Sequence, residues 1–466
     1  MKNKNRPFFY EKKKTSFGKI LLTILGIVFI VTLAGYQIPG IRQRISEPLF
    51  AAGSLILNGT KEIINKTRMY HEPEKKRQTY DPIELPDKEV LFAESLENLS
   101  AISQEDPLAD LRQTPTPSEY SRVAAWEYLD PNLNYAVNSN GQPLSGAVNV
   151  KLIPPVFEHR DLFNDGPAIL SACLRYWGIV ANQYEISHII HPKSTDPFVS
   201  FDDLQKYVTE NVPDLQVLIR INGDKDTVVG LLKAGIPVIL KIQQKSIYPY
   251  WINDDHMQCR YVLVLGYDSE NKVFNYQDTA KGNTLEIAES ELLSDWYPYQ
   301  REYMVIYPEE KDTEVREVLS ENYFEELNLQ RALTKYRTDS ELLPNNPYAQ
   351  YNFGVVLHRD GDNNGAWELF EKAKGLLLPQ RFLTYETEML QTALELGYGD
   401  DLERLTSDLL DKNPDDEVLT VYRGWGEILR KDYQKGEEFF NKADKINPNS
   451  DTVIYAIKYK DTMLNY

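Results

Sequence analysis

Three residues of this chain stand where a functional group could project into a cleft. Asp165 lies directly before the Gly166-Pro167-Ala168 turn that opens a helical run, Arg260 begins the strand-like run RYVLVLGYD, and Asp278 precedes the turn TAKG. A carboxylate at such a place can cap a helix, take a proton or attack weakly. A guanidinium stays protonated at every workable pH, so it can pair or orient but cannot act as general acid or base. The two cysteines, Cys173 and Cys259, and the six histidines fit no metal-ligand spacing, and no metal or other cofactor is expected. The cysteines could form one disulfide outside the cytosol or remain two buried free thiols. Asp165 and Asp278 are also the residue types of paired-carboxylate glycoside hydrolysis, but no second feature points to sugar.

The elements that must position these residues are legible as patterns. Asp is a favoured N-cap, and Pro167 suits the first helical turn because its missing N–H has no partner there. Ala168, Ala172 and Tyr176, with Ile169 and Cys173, give that helix a buried face. Cys173 stands eight residues into it, about 12 Å from the opening at 1.5 Å per residue. The runs LQVLIRI, PVILKI, RYVLVLGYD, KVFNYQD and EYMVIYP are rich in β-branched and aromatic residues with turns between them, which predicts an antiparallel sheet packed on the helix. Residues 148–308 therefore read as an α+β domain. Alternation along its strand turns Cys259 to the face opposite Arg260.

Taken in order, NDGPAILSACLRYWG, RYVLVLGYD and QDTAKG resemble the C39-like cysteine peptidases, a branch of the papain-like fold, over Val148 to Pro308. DPFVSFDDLQKYV, AGIPVILKI and Trp296 before the last strand extend the resemblance. In that family a Cys stands before Gly-Pro-Ala, a His begins the strand that ends in Gly-Tyr-Asp, an Asp precedes a small-residue turn, and a Gln a few residues before the Cys helps form the oxyanion hole. Carried over residue by residue, the Cys position is Asp165, the His position is Arg260, the Asp is retained as Asp278, and the Gln position falls on His159 or Arg160. The chemistry then fails. Amide cleavage of this kind needs a thiolate and an imidazole that exchanges a proton near neutral pH. The resemblance implies an inactive peptidase-type domain with no catalytic residues. Opposite charges at the two replaced places then predict an ion pair between Asp165 and Arg260, with Asp278 near the guanidinium. Phe163, Asn164, Trp251 and His256 are the expected walls of the remaining cleft. His256 could swing inward from its loop but would lack a cysteine partner.

The remainder of the chain sets this domain in context. The net charge of −19 argues against a nucleic-acid surface, which needs clustered Lys and Arg. Residues 1–19 carry seven Lys or Arg against one acid, Glu11, and residues 20–41 run without a charge. That length spans a hydrocarbon layer of about 30 Å, and basic residues stay cytoplasmic, so the pattern predicts a single-pass signal anchor with the bulk of the chain extracytoplasmic. Thr32-Leu33-Ala34 is the small-x-small site that a cleaved signal would use instead. Residues 42–147 form a juxtamembrane and linker region, with the proline-punctuated His71–Glu89 stretch extended. In residues 314–466, Pro344, Pro379, Pro414 and Pro448 fall 35, 35 and 34 residues apart. Gly354, Ala366, Phe370 and Ala373 precede Pro379, and Gly424, Tyr433, Phe440 and Ala443 precede Pro448. Small residues at fixed offsets let helices pack closely while the aromatics fill the gap. This resembles the tetratricopeptide repeat, an all-α array. The unit ending at Pro414 is degenerate, and the first, with Ala332 and Tyr336, is half recognisable. The resemblance implies protein or peptide partners, met through the repeats and the cleft.

Overall fold

A computed structural model describes residues 78–81, 83, 149–193, 198–245 and 256–464. The basic tail, the 20–41 run and Trp251 lie outside these residues. Among the described residues no helix is long and apolar enough to cross a membrane.

The α+β domain runs β1 (Asn149–Lys151), α1 (Asp165–Tyr176), α2 (Gln183–Ile190), α3 (Phe201–Asn211), β2 (Leu215–Arg220), α4 (Lys225–Lys233), β3 (Val238–Lys245), β4 (Met257–Asp268), β5 (Val273–Asp278), β6 (Gly282–Ala288), α5 (Glu289–Trp296), β7 (Tyr303–Pro308) and α6 (Asp312–Leu319). The strands form one antiparallel sheet in the order β2-β7-β3-β4-β5-β6, with β1 paired to the far end of β4. β1, β6 and the helices α2 to α5 are additions to the strand runs and the single helix anticipated above. Their starts follow local rules. Asn182 caps α2 by accepting from the Tyr184 and Glu185 N–H groups, and Ser200 with Asp203 makes a capping box for α3.

α1 is buried nearly all round, because it lies across the sheet as the domain's central helix. Two polar tethers fix its C-terminal end: the Tyr176 hydroxyl donates to the Gly235 carbonyl at 2.8 Å, and Trp177 Nε1 donates to the Ile306 carbonyl at 2.8 Å. β3 and β4 read as near-continuous apolar runs because both of their faces are covered. Helices cover one face, while the repeats cover the end of β4 at Met257 and Cys259, which join the second hydrophobic cluster. At Gly266 the register with β5 shifts, and an added Cβ would lie 2.7 Å from the Val150 carbonyl. Only glycine lets β1 approach there.

The helical array follows as α7 (Glu325–Leu342), α8 (Pro347–Arg359), α9 (Asn363–Gly375), α10 (Glu388–Glu395), α11 (Gly399–Lys412), α12 (Glu417–Leu429), α13 (Tyr433–Ile446) and α14 (Asp451–Tyr459). In two units the crossing is the same. A Cβ on Gly354 would meet the Phe370 ring at 2.7 Å, and one on Gly424 would meet the Phe440 ring at 2.6 Å. The unit between them departs from this: a 3-10 turn, Gln380–Thr384, precedes a first helix of only eight residues. The repeats begin later than residue 314, since α6 packs Val315 and Leu319 into the core of the α+β domain. That leaves α7 alone and explains why the first unit is half recognisable.

Each unit of the array touches the α+β domain. Asn328 donates to the Ile221 carbonyl at 2.9 Å, and Asn352 donates to the Tyr297 carbonyl at 2.8 Å. Lys241 pairs with Glu386, and Asn447 donates to the Ile190 carbonyl at 2.9 Å. The linker is also drawn in. The Tyr80 N–H donates to the Gly397 carbonyl at 3.0 Å, its hydroxyl donates to Asp400 at 3.1 Å, and Ile83 packs against the repeat core.

Candidate functional site

The site is built where three elements converge: the N-terminus of α1, the start of β4 and the end of β5. Asp165 is the first residue of α1, after an Asn164 N-cap that makes no side-chain capping bond. Asp165 therefore does not cap the helix, contrary to its reading as an N-cap. Its carboxylate reaches across to β4, where Oδ2 accepts from the Tyr261 N–H at 2.7 Å and Oδ1 lies 3.0 Å from Arg260 Nη2. The same Arg260 nitrogen donates to Asp278 Oδ1 at 2.9 Å. Thr279 Oγ1 stands 3.4 Å and Arg160 Nε 3.6 Å from Asp165 Oδ1. Asp278 also accepts from the Ala280 N–H at 2.8 Å and from Gln244 Nε2 at 3.3 Å. One guanidinium thus bridges two carboxylates on two elements, and a second flanks them.

Asp278 is wholly buried. Burial opposes its charge, yet Arg260, the Ala280 N–H, Lys281 and Arg160 together outweigh that penalty and hold its carboxyl below the usual range. Both cysteines are free and buried. Burial pushes the Cys173 thiol up to about 12, and burial pushes Cys259 well above the ordinary thiol range despite the nearby Lys241. Neither carries appreciable thiolate near neutral pH. Cys259 faces the repeats with Met257 and Tyr299, away from the Arg260 pairing, as strand alternation requires. It still lines the same small cavity as Asp165.

Of the two candidates for the oxyanion position, Arg160 lies beside Asp165. His159 instead packs edge-on to Phe157 and gives its carbonyl to Gln183 Nε2 at 2.7 Å. Of the expected walls, Phe163 lines the cavity. Asn164 does not; its side chain bonds His191 Nε2 at 3.0 Å, and burial holds that imidazole down to about 4. His256 also stands outside the lining, and Trp251 falls among the residues not described. Among the described residues no group of His, Cys, Asp and Glu is arranged to hold a metal ion.

Sequence reasoning missed three contributors. Gln183, fully buried, accepts from the Asp161 N–H at 2.7 Å and so sets the loop that carries Arg160. Arg381 and Tyr385, from the degenerate repeat unit, form the opposite wall of the cavity. A lone Gln in a helix and an Arg and Tyr more than 200 residues from Asp165 have no local signature; the one available signal was the irregularity of the unit ending at Pro414.

The Peptidase_C39 like family matches residues 166–304, beginning one residue after Asp165. That segment is a C39-like peptidase-family domain, and the all-α region after it is a helical-repeat region consistent with a tetratricopeptide-like array. A solved structure described as a putative C39-like peptidase from Bacillus anthracis is similar at 13% identity, covering 34% of this chain and 97% of that chain, with a TM-score of 0.28. No curated protein matches the chain.

Proposed function

We propose that this chain is a membrane-anchored, extracytoplasmic protein-binding scaffold whose C39-like domain does not cut. The observation that carries the reading is the charge pairing itself: Asp165 and Arg260, 3.0 Å apart, stand at the positions where the family resemblance calls for a thiol and an imidazole. A carboxylate held by a backbone N–H and a guanidinium is a poor nucleophile toward an amide, and Arg260 cannot shuttle a proton. The walls of a cleft and its chemistry are separable, so the fold can persist after cleavage is lost. The helical array is of a type suited to protein or peptide recognition. The apolar run at 20–41 with its basic flank supports the anchor and the orientation.

The competing reading is a working peptidase or another cell-envelope hydrolase. Incubating the purified chain with peptide libraries and a thiol-reactive probe separates the two. We expect no turnover and no labelling at Cys259 in the native state. Turnover that disappears in Cys259→Ser would overturn the proposal.

A further inference from the structure

The cavity above Asp165 is small. It measures about 30 Å³, with Phe163, Asp165 and Cys259 on one side and Arg381 and Tyr385 on the other. Such a space holds about two or three water molecules and no peptide. Among the described residues, the far wall comes from the chain's own degenerate repeat unit, through Arg381 and Tyr385.

We infer that the segment Arg381–Glu386 is a plug, a cis ligand occupying the peptide cleft of the C39-like domain. Its contacts are those by which an extended peptide is held: side chains in apolar pockets and a main-chain group on a fixed donor. Phe382 stacks on Tyr299 with ring centroids 5.4 Å apart. Tyr385 meets the edge of Phe198 at 5.1 Å. The Tyr385 carbonyl accepts from Lys241 Nζ at 3.2 Å, and the Glu386 carboxylate pairs with the same ammonium. Lys241 stands opposite Tyr261 in the β3–β4 register, so the plug is anchored on the strand pair that carries Arg260.

The plug also accounts for the irregular unit. Regular units open on a helix of 13 residues, α8 or α12, whereas this one opens on eight, with Gln380–Thr384 drawn out as a 3-10 turn. The residues that would begin a repeat helix are used to fill the cleft. The occupant's chemistry, aromatic residues at the second and fifth places of Arg-Phe-Leu-Thr-Tyr-Glu and an acid at the last, defines the ligand this cleft accepts. The inference goes beyond the scaffold reading and does not depend on whether the domain cuts.

Cys259 reports on the plug and Cys173 is the internal standard, since both are buried but only Cys259 lies beneath Arg381–Glu386. The full chain is labelled with a maleimide under native conditions, and the modification rate of each cysteine is read by peptide mass. In the wild type Cys259 should react no faster than Cys173. In Phe382→Ala/Tyr385→Ala it should react at least tenfold faster while Cys173 is unchanged, and a synthetic peptide of the Pro379–Thr387 sequence should restore protection. Unchanged protection of Cys259 in that variant, or exposure that the peptide does not reverse, overturns the inference. Should the double variant unfold, both cysteines accelerate together, and Tyr385→Ala alone, which leaves the Phe382–Tyr299 stack in place, becomes decisive. A rise of about threefold confined to Cys259 then supports the plug, and equal acceleration of both cysteines overturns it.

Discussion

The charge cluster at the head of α1 sets two carboxylates, Asp165 and Asp278, against two guanidiniums, Arg260 and Arg160. The cluster between the α+β domain and the repeats is built differently. There Lys241 serves both Glu386 and Glu302, the latter at 3.5 Å, and the half-exposed Arg359 serves Glu388 at 2.6 Å. Three acids thus face two bases. The consequence is visible in the carboxyls. Asp278 is held below its ordinary range by its partners. Burial pushes Glu386 up, to about 8, because Lys241 cannot offset desolvation together with the charges of Glu388 and Glu302. A balanced buried cluster keeps the Asp278 carboxylate ionised and ties strands in register, whereas an unbalanced one stores a proton and makes a junction sensitive to pH.

Removing a cation from the balanced cluster should have the larger effect. Arg260→Ala leaves Asp165 and Asp278 facing one another in a buried site, and we expect a loss of about 3–5 kcal/mol in chemical denaturation. A loss below about 1 kcal/mol would place Arg260 among solvated charges and end the contrast. Lys241→Ala should cost less, about 2–3 kcal/mol, because Glu386 can take up a proton where Asp278 cannot do so readily. It should also loosen the junction with the repeats, read as faster amide exchange in residues 380–386. A cost equal to that of Arg260→Ala would mean the two clusters respond alike.

The smallest effect is the most discriminating, because the two clusters should respond to pH with opposite signs. Asp278, with its folded pKa depressed, contributes stability that is present above the usual aspartate range and is lost as pH falls through the folded value. Glu386, with its folded pKa raised, contributes stability that is full below the usual glutamate range and is lost as pH rises toward about 8. Asp203 adds to the same alkaline limb; burial and the charge of Glu417 raise it to about 7. Between pH 5 and pH 8.5 the wild type should therefore lose on the order of 1 kcal/mol relative to Glu386→Gln. Denaturation midpoints of the two proteins that run parallel over that window would remove the stored proton from the account.

Much of this organisation could be read locally. The strands of PVILKI and RYVLVLGYD, the helix opened by Gly166-Pro167, and the glycine–aromatic crossings at Gly354 and Gly424 follow from propensity, periodicity and side-chain size, which act over a few residues. Asp165, Arg260 and Asp278 form a legible set through the resemblance of NDGPAILSACLRYWG, RYVLVLGYD and QDTAKG to the C39-like pattern, although Arg260 stands inside β4 and not at its end. The rest had no such mark. Lys241 within PVILKI reads as a charge on a strand, and nothing near it announces a partner 145 residues away. The boundary at 314 misplaced α6 because its amphipathic pattern suits either neighbour, and only packing shows that Val315 and Leu319 enter the sheet domain's core.

The amino-acid order by itself determined which groups are available at the cleft: carboxylates at Asp165 and Asp278 and a guanidinium at Arg260. Tertiary structure decided what those groups do. It turned Asp165 from a helix cap into a partner of Tyr261 and Arg260, and it brought Arg381 and Tyr385 over the cavity. The physical reason is one of range. Residue chemistry and local periodicity are properties of neighbours in sequence, whereas the pairing of buried charges and the filling of a cleft depend on which distant surfaces the fold brings within a few ångströms of each other.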